Sequence, residues 1–303
     1  MKYGIFGGAV NDGTLDDVVA EAASAERDGF AAYWAPHIFG LDALTALAVV
    51  GTRVPRIELG TSVVPTFPRH PHAIAQQAHT VAAASGNRFT LGIGLSHKIV
   101  IENMFGLSYD KPVRHLREYL SVLMPLSRNE PANFEGEFYK VHAGVNAKGS
   151  AGFGVVVAAL GEQMLRVTAA LADGTLTWCT GPVTLAAHIV PTITRAAEEF
   201  GRPAPRVIAA LPVCVTGDTA AAAARAAEVF AAYGALPSYR AMLDREGVAG
   251  PADIAIIGGA EEVQDRIAAL AGIGVTDFAA VEFGATPDEI ADTRAALRGL
   301  LGR

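Results

Sequence analysis

Imidazole is the side chain best able to move protons near neutral pH. Four of the eight histidines stand where short apolar runs give way to polar residues. His37 follows residues 30–35, His97 follows residues 88–94, and His70 and His72 follow residues 57–64. The last two have the His-x-His spacing that raises a metal site. Pro71 separates them, and the carboxylate partners that such a site needs are missing. They read instead as polar residues that start a helix. No pair of carboxylates at the run ends suggests glycoside hydrolysis.

Three stretches suit a large planar cofactor with a phosphate tail. Gly92 and Gly94 form a G-x-G at the end of an apolar run, followed by Leu95, Ser96 and His97. Glycines at a strand end let a ligand approach the backbone. Leu160 and Gly161 lead directly into a helical stretch, whose first free N–H groups, at Glu162 and Gln163, make an anion site. The Glu162 carboxylate opposes this unless it turns away as a capping group. Third, Gly60 to Val64, including Thr61, Ser62 and Val63, combines small and β-branched residues into an apolar floor for a flat ring.

Around these stretches lies a chain of 303 residues, 51% apolar and 18% charged, long and apolar enough for a sizeable core. A net charge of −7 argues against nucleic acid or an anionic membrane as the main partner. Cys179 and Cys214, each in an apolar run, cannot supply a disulfide framework or a four-cysteine zinc site. The opening MKYGIFGGAVNDG has no apolar stretch of signal-peptide length, and no 18-residue apolar span occurs. The expectation is a cytoplasmic protein with reduced thiols that acts on a small molecule.

Eight strand-like runs occupy residues 3–7, 30–35, 57–64, 88–94, 154–160, 175–179, 206–215 and 277–283, each followed by a helical stretch. They are mostly apolar on both faces, as parallel strands covered by helices must be. Eight such units in about 300 residues is the length of a TIM (β/α)8 barrel. The rival doubly wound sheet would carry G-x-G-x-x-G after its first strand, and GIFGGAVNDG does not. One domain over 1–303 is expected, with a hairpin insertion at about 130–152, where aromatics alternate around Gly136. In a barrel the chemistry lies at the C-terminal strand ends, which here are rich in Gly, hydroxyls and histidine. Trp34 and Trp178 read as core aromatics rather than mouth residues. Tyr233 and Tyr239, around a Pro237 loop, are lid candidates. Phe67, Phe105 and Trp178 are candidates for an apolar substrate wall.

IELGTSVVPTFPRHPHAIAQQAHT, NRFTLGIGLSH and VVVAALGEQMLRVTAALADGTLTW together resemble, in this order, three segments of the bacterial luciferase-like flavin and deazaflavin oxidoreductases. The likeness covers nearly the whole chain and is greatest to the branch that uses coenzyme F420, a 5-deazaflavin. It implies a bulge in the third strand with a non-prolyl cis peptide behind the deazaflavin ring, by position Ser62–Val63. It also implies a cofactor-phosphate loop at Leu160-Gly161 and the amides that follow. Thr61, Ser62, Val63, Gly94, Ser96, Leu160, Gly161, Glu162 and Gln163 are then the cofactor-binding candidates. Arg69, His70 and His72 fall to the turn and helix start, outside the chemistry.

His37 falls where sugar-phosphate-oxidising relatives have a catalytic histidine, although Pro36 replaces the acid before it. His97 falls where they have a glutamate, and no Lys/Arg cluster to hold a sugar phosphate is present. His97 and His37, in that order, are the catalytic candidates, as the groups to pass the proton that accompanies hydride transfer. The resemblance implies hydride transfer between F420 and a small organic substrate, by a homodimer. FMN-dependent monooxygenase chemistry and a non-catalytic flavin-binding protein are the alternatives.

Overall fold

The computed structural model describes residues 1–302. Eight strands form its centre: β1 (Lys2–Phe6), β2 (Ala32–Ala35), β3 (Glu58–Thr61), β4 (Phe89–Gly94), β5 (Gly154–Val157), β6 (Gly174–Trp178), β7 (Arg206–Val215) and β8 (Asp277–Glu282). Each pairs in parallel with the next, and β8 returns to β1 with Asp277 opposite Lys2. The fold is therefore the closed barrel expected from the eight apolar runs.

The helices that cover it begin on ordinary capping chemistry. Thr14 and Asp17 form a reciprocal capping box at Leu15–Asp28, which ends at Gly29 with φ +92°. Asp42 caps Ala43–Arg53 through the Thr45 N–H at 2.8 Å. The hairpin pairs Ala132–Glu135 with Lys140–Ala143. Glu118, on the helix Pro112–Ser127, accepts the N–H groups of Glu137 and Phe138 at 3.1 and 2.7 Å and pins the turn.

The stretch after β7 departs from expectation. The helical stretch after β7 is broken: one helix covers Thr219–Val229, a short turn of helix covers Ala231–Gly234, and the supposed Pro237 loop is a helix, Pro237–Glu246. Pro237 opens it, and Gly247 closes it at φ +80°. The Glu246 carboxylate accepts the Val183 and Thr184 N–H groups at 3.0 and 2.7 Å, and the Thr184 hydroxyl donates to the Met242 carbonyl at 3.1 Å. This docks the helix onto the segment after β6.

Inside the barrel the side chains lie in tiers. At the N-terminal end Arg206 meets Asp277 at 2.6 Å and Glu58 at 2.5 Å, with its guanidinium 5.4 Å from the Trp34 ring centre. Above lie Ala32, Trp34, Val156, Leu176, Ile208, Ala210 and Ala279. Trp34 fills this tier and is 1% exposed, because Gly60 has no side chain: a Cβ there would come within 2.2 Å of the indole. Phe6, Val63 and Trp178 top the interior, with Phe6 stacked on Trp178 at 5.9 Å. Trp34 is thus core, whereas Trp178 stands at the mouth. No described helix is long and apolar enough to cross a membrane. Both cysteines are buried and free.

Candidate active site at the barrel mouth

The third strand does not run straight into the mouth. Gly60 pairs with Thr90 and Val64 with Ile93, so Thr61, Ser62 and Val63 oppose only Leu91 and Gly92, which defines a bulge. The Ser62–Val63 peptide within it is cis. The Thr61 hydroxyl donates to the Gly92 carbonyl at 2.7 Å and accepts the Gly92 N–H at 2.8 Å. Ser62 N–H donates to the Ala35 carbonyl at 2.7 Å. Ser62 and Val63 stay half-buried, and Thr61 is fully buried.

This revises two expectations. Thr61 spends its hydroxyl on β4 and holds the bulge instead of facing a ring. The space at Gly92 belongs to the bulge rather than to a ligand, since a Cβ there would meet the Thr61 carbonyl at 1.9 Å; a Cβ at Gly94 would meet Val63 Cγ2 at 2.7 Å, so Gly94 lets Val63 lie close against β4.

Beyond β4 the chain turns through Ser96 at φ +59°, whose carbonyl accepts the Tyr109 hydroxyl at 3.3 Å. His97 follows, half-buried, with its ring 5.4 Å from Tyr239. Its nitrogens have no hydrogen-bond partner among the described residues. Burial holds its pKa below the usual imidazole value.

His37 is in another situation. Its Nδ1 accepts the Ala43 N–H at 3.2 Å, and its Nε2 lies 3.3 Å from Arg69, which pairs with Asp42 at 2.6 Å. Burial, and after it Arg69, lower its pKa, against the pull of Asp42. Arg69 is therefore built into the surroundings of His37 and does not belong merely to the turn. His70 does start a helix, as expected: its Nδ1 accepts the His72 N–H at the head of Pro71–Ala84.

After β5, Leu160 and Gly161 lead into the helix Glu162–Leu171. His188 donates through Nε2 to the Leu160 carbonyl at 2.7 Å and fixes the loop. No side chain caps this helix. Gly161, Glu162 and Gln163 are exposed, and the Glu162 charge acts on Arg166 one turn along. The first amides are thus open to an anion.

Three buried imidazoles, His79, His115 and His188, lie outside the candidates read from the sequence, and His115 is the one in an aromatic cluster beside the turn after β3. His115 bonds Thr66 Oγ1 at 3.0 Å, stacks on Phe67 at 3.9 Å, and has its pKa pushed down to about 4 by burial. Phe67 serves this cluster, and Phe105 is 42% exposed on the loop after β4, so only Trp178 of the three proposed wall residues tops the barrel interior. Clefts of about 560 Å³ beside Lys111, Arg114 and Arg117, and of about 370 Å³ at the closed end near Lys2 and Glu58, lie elsewhere. Among the described residues no three His, Cys, Asp or Glu side chains are grouped to hold a metal.

The bulged floor, the small residues Gly94 and Ala158 beside it and the uncapped amides after β5 fit a flat ring with a phosphate. Residues 1–301 match the luciferase-like monooxygenase family model, and the chain belongs to that family. A Mycobacterium tuberculosis protein named a coenzyme F420-dependent oxidoreductase is 29% identical over 235 residues, which are 70% of this chain and 66% of that protein. The 5,10-methylenetetrahydromethanopterin reductase of Methanolobus tindarius is 28% identical over 88% of this chain and 82% of its own. The solved coenzyme F420-dependent tetrahydromethanopterin reductase of Methanopyrus kandleri superposes with a TM-score of 0.82 at 22% identity, covering 100% of this chain and 97% of that one.

Proposed function

We propose that the protein is an oxidoreductase that passes a hydride between coenzyme F420 and a small organic substrate. The observation that carries this reading is the clasped bulge of β3, which leaves Ser62 and Val63 half-exposed beside Gly94 as a floor for the ring. The names of the two relatives point the same way. The deazaflavin supplies two-electron hydride chemistry. The protein supplies position and a proton path. Ser62, Val63 and Gly94 support the ring, while Ser96 and the segment Leu160, Gly161, Glu162 and Gln163 surround the phosphate. His97 passes the proton, because its ring nitrogens are unspent. His37 spends its acceptor Nδ1 on the Ala43 N–H at the start of the helix Ala43–Arg53 and lies beside Arg69.

The test is a titration of the purified protein with F420 and, separately, with FMN, read by tryptophan fluorescence, since Trp178 tops the barrel interior. Tight deazaflavin binding and weak FMN binding are expected. A preference for FMN would replace this reading with flavin monooxygenase chemistry.

A further inference from the structure

The helix after β6 is not regular. It opens at Pro182–Thr184, widens into a π-turn over Leu185–Ile189 and resumes as an α-helix over Val190–Glu199. Pro191 stands just beyond the widened turn. A proline inside a helix has no N–H to give, and its ring crowds the carbonyl four residues back, here that of Ala187 in the π-turn. The extra residue of a π-turn relieves that crowding, and such turns gather at functional sites.

The consequence is where His188 goes. It sits in the middle of the widened turn, 9% exposed, and reaches across to the Leu160 carbonyl at 2.7 Å. A carbonyl can only accept, so Nε2 carries the proton. Both sides of this contact are held. Just before the π-turn the Glu246 carboxylate accepts the Val183 and Thr184 N–H groups. The buried Thr175 hydroxyl lies 2.9 and 3.1 Å from the carbonyls of Val157 and Ala159. At the far end of the two helices Arg166 pairs with Glu199 at 2.7 Å.

These side chains grip Val157, Ala159 and Leu160 and then stop. None caps the helix Glu162–Leu171, and a Cβ on Gly161 would meet nothing. The Leu160–Gly161 peptide is trans, the one cis bond being Ser62–Val63. In a trans peptide the C=O and the N–H point opposite ways. Holding the Leu160 carbonyl on His188 therefore aims the Gly161 N–H away from it. That N–H meets no acceptor among the described residues.

Resting on the reading of this loop as the cofactor-phosphate site, we infer that His188 is a positioning residue for the phosphate and that Pro191 puts it there. His188 does not touch the phosphate. It turns the Leu160–Gly161 peptide so that the Gly161 N–H joins those of Glu162 and Gln163 around the anion. Pro191 acts one step further back, through the π-turn. Without the extra residue His188 would swing by about 100° about the helix axis relative to Val190–Glu199, off the Leu160 carbonyl.

The experiment titrates the full chain with F420, with the deazaflavin nucleoside that F420 contains, and with that nucleoside's 5′-monophosphate, read by tryptophan fluorescence. The last two differ by the phosphate alone, so the ratio of their Kd values isolates it. In the wild type the phosphate is expected to tighten binding at least about tenfold. His188→Leu is expected to shrink that ratio to within about threefold while the nucleoside keeps its wild-type affinity, and His188→Gln, which can still donate, to restore most of it. Pro191→Ala is expected to shrink the ratio without lowering the unfolding temperature, because alanine suits a helix interior better than proline. Equal weakening of nucleoside and monophosphate in His188→Leu overturns the positioning role. A wild-type ratio in Pro191→Ala overturns the part given to Pro191. Nucleoside binding that the phosphate does not improve in the wild type overturns the whole inference and leaves the ring site standing. Failure of F420 and nucleoside alike to bind removes the deazaflavin reading beneath it, and so is distinguishable from the rest.

Discussion

Thr61 and Gly92 are joined twice, through one hydroxyl that donates at 2.7 Å and accepts at 2.8 Å. The hydroxyl takes the place of the backbone pairing that the bulge interrupts, so that no buried amide of β4 goes unmet there. Thr61→Val keeps the shape and removes both bonds. A loss of about 1–3 kcal/mol is expected in urea unfolding, with weaker deazaflavin binding, while Thr61→Ser stays near wild type in both.

Gly94 sets the height of the floor. Alanine there would put its Cβ 2.7 Å from Val63 Cγ2 and drive Val63 toward the mouth. Gly94→Ala is expected to cost about 1–3 kcal/mol in stability and to lower F420 affinity. Undiminished affinity would show that the ring does not lie over Val63.

His115 gives the fold a pH dependence. Its ring is enclosed by Thr66, Phe67, Tyr119, Phe138 and Tyr139, with the Glu118 carboxylate as the only opposing influence. The unfolded imidazole takes a proton near pH 6.5 and the folded one only near 4, so the unfolded state binds more protons in between. Stability from the neutral ring is complete above pH 6.5 and is lost as pH falls toward 4, by about 3 kcal/mol at most. His115→Gln flattens that slope in thermal unfolding measured across this window.

Arg69 and Asp42 act on His37 in opposite senses. Arg69→Gln removes the repelling cation and leaves the carboxylate. The His37 titration, followed by NMR, is expected to move up, and Asp42→Asn to move it down.

Arg206 holds two carboxylates near the closed end, where the Asp277 side chain is 5% exposed. Arg206→Met leaves both without their cation, and a loss of about 3 kcal/mol is expected in denaturant unfolding.

The barrel was readable in the chain because strands covered on both faces must be mostly apolar, and the runs ending at Gly94 and Val215 are apolar apart from Arg88, Thr90 and Arg206 near their starts. The lock at Thr61 was not, because it depends on glycines of another strand, 31 residues on in the case of Gly92. Local pattern also hid the partnership of Arg69 with His37, which spans 32 positions. The helix carrying Tyr239 was signalled by Pro237 and Gly247, but ten residues without a strong apolar stripe look like a loop. His115 lies on the buried face of an amphipathic helix, where an imidazole reads as one more polar interruption.

The tier of Trp34 over Arg206 makes the barrel a vessel with a single opening. On the proposed function, cofactor and substrate would therefore enter and leave through the same mouth. A cofactor ring on Ser62 and Val63 would then be covered by the substrate, and an ordered mechanism with the cofactor binding first is the outcome to expect of product-inhibition kinetics.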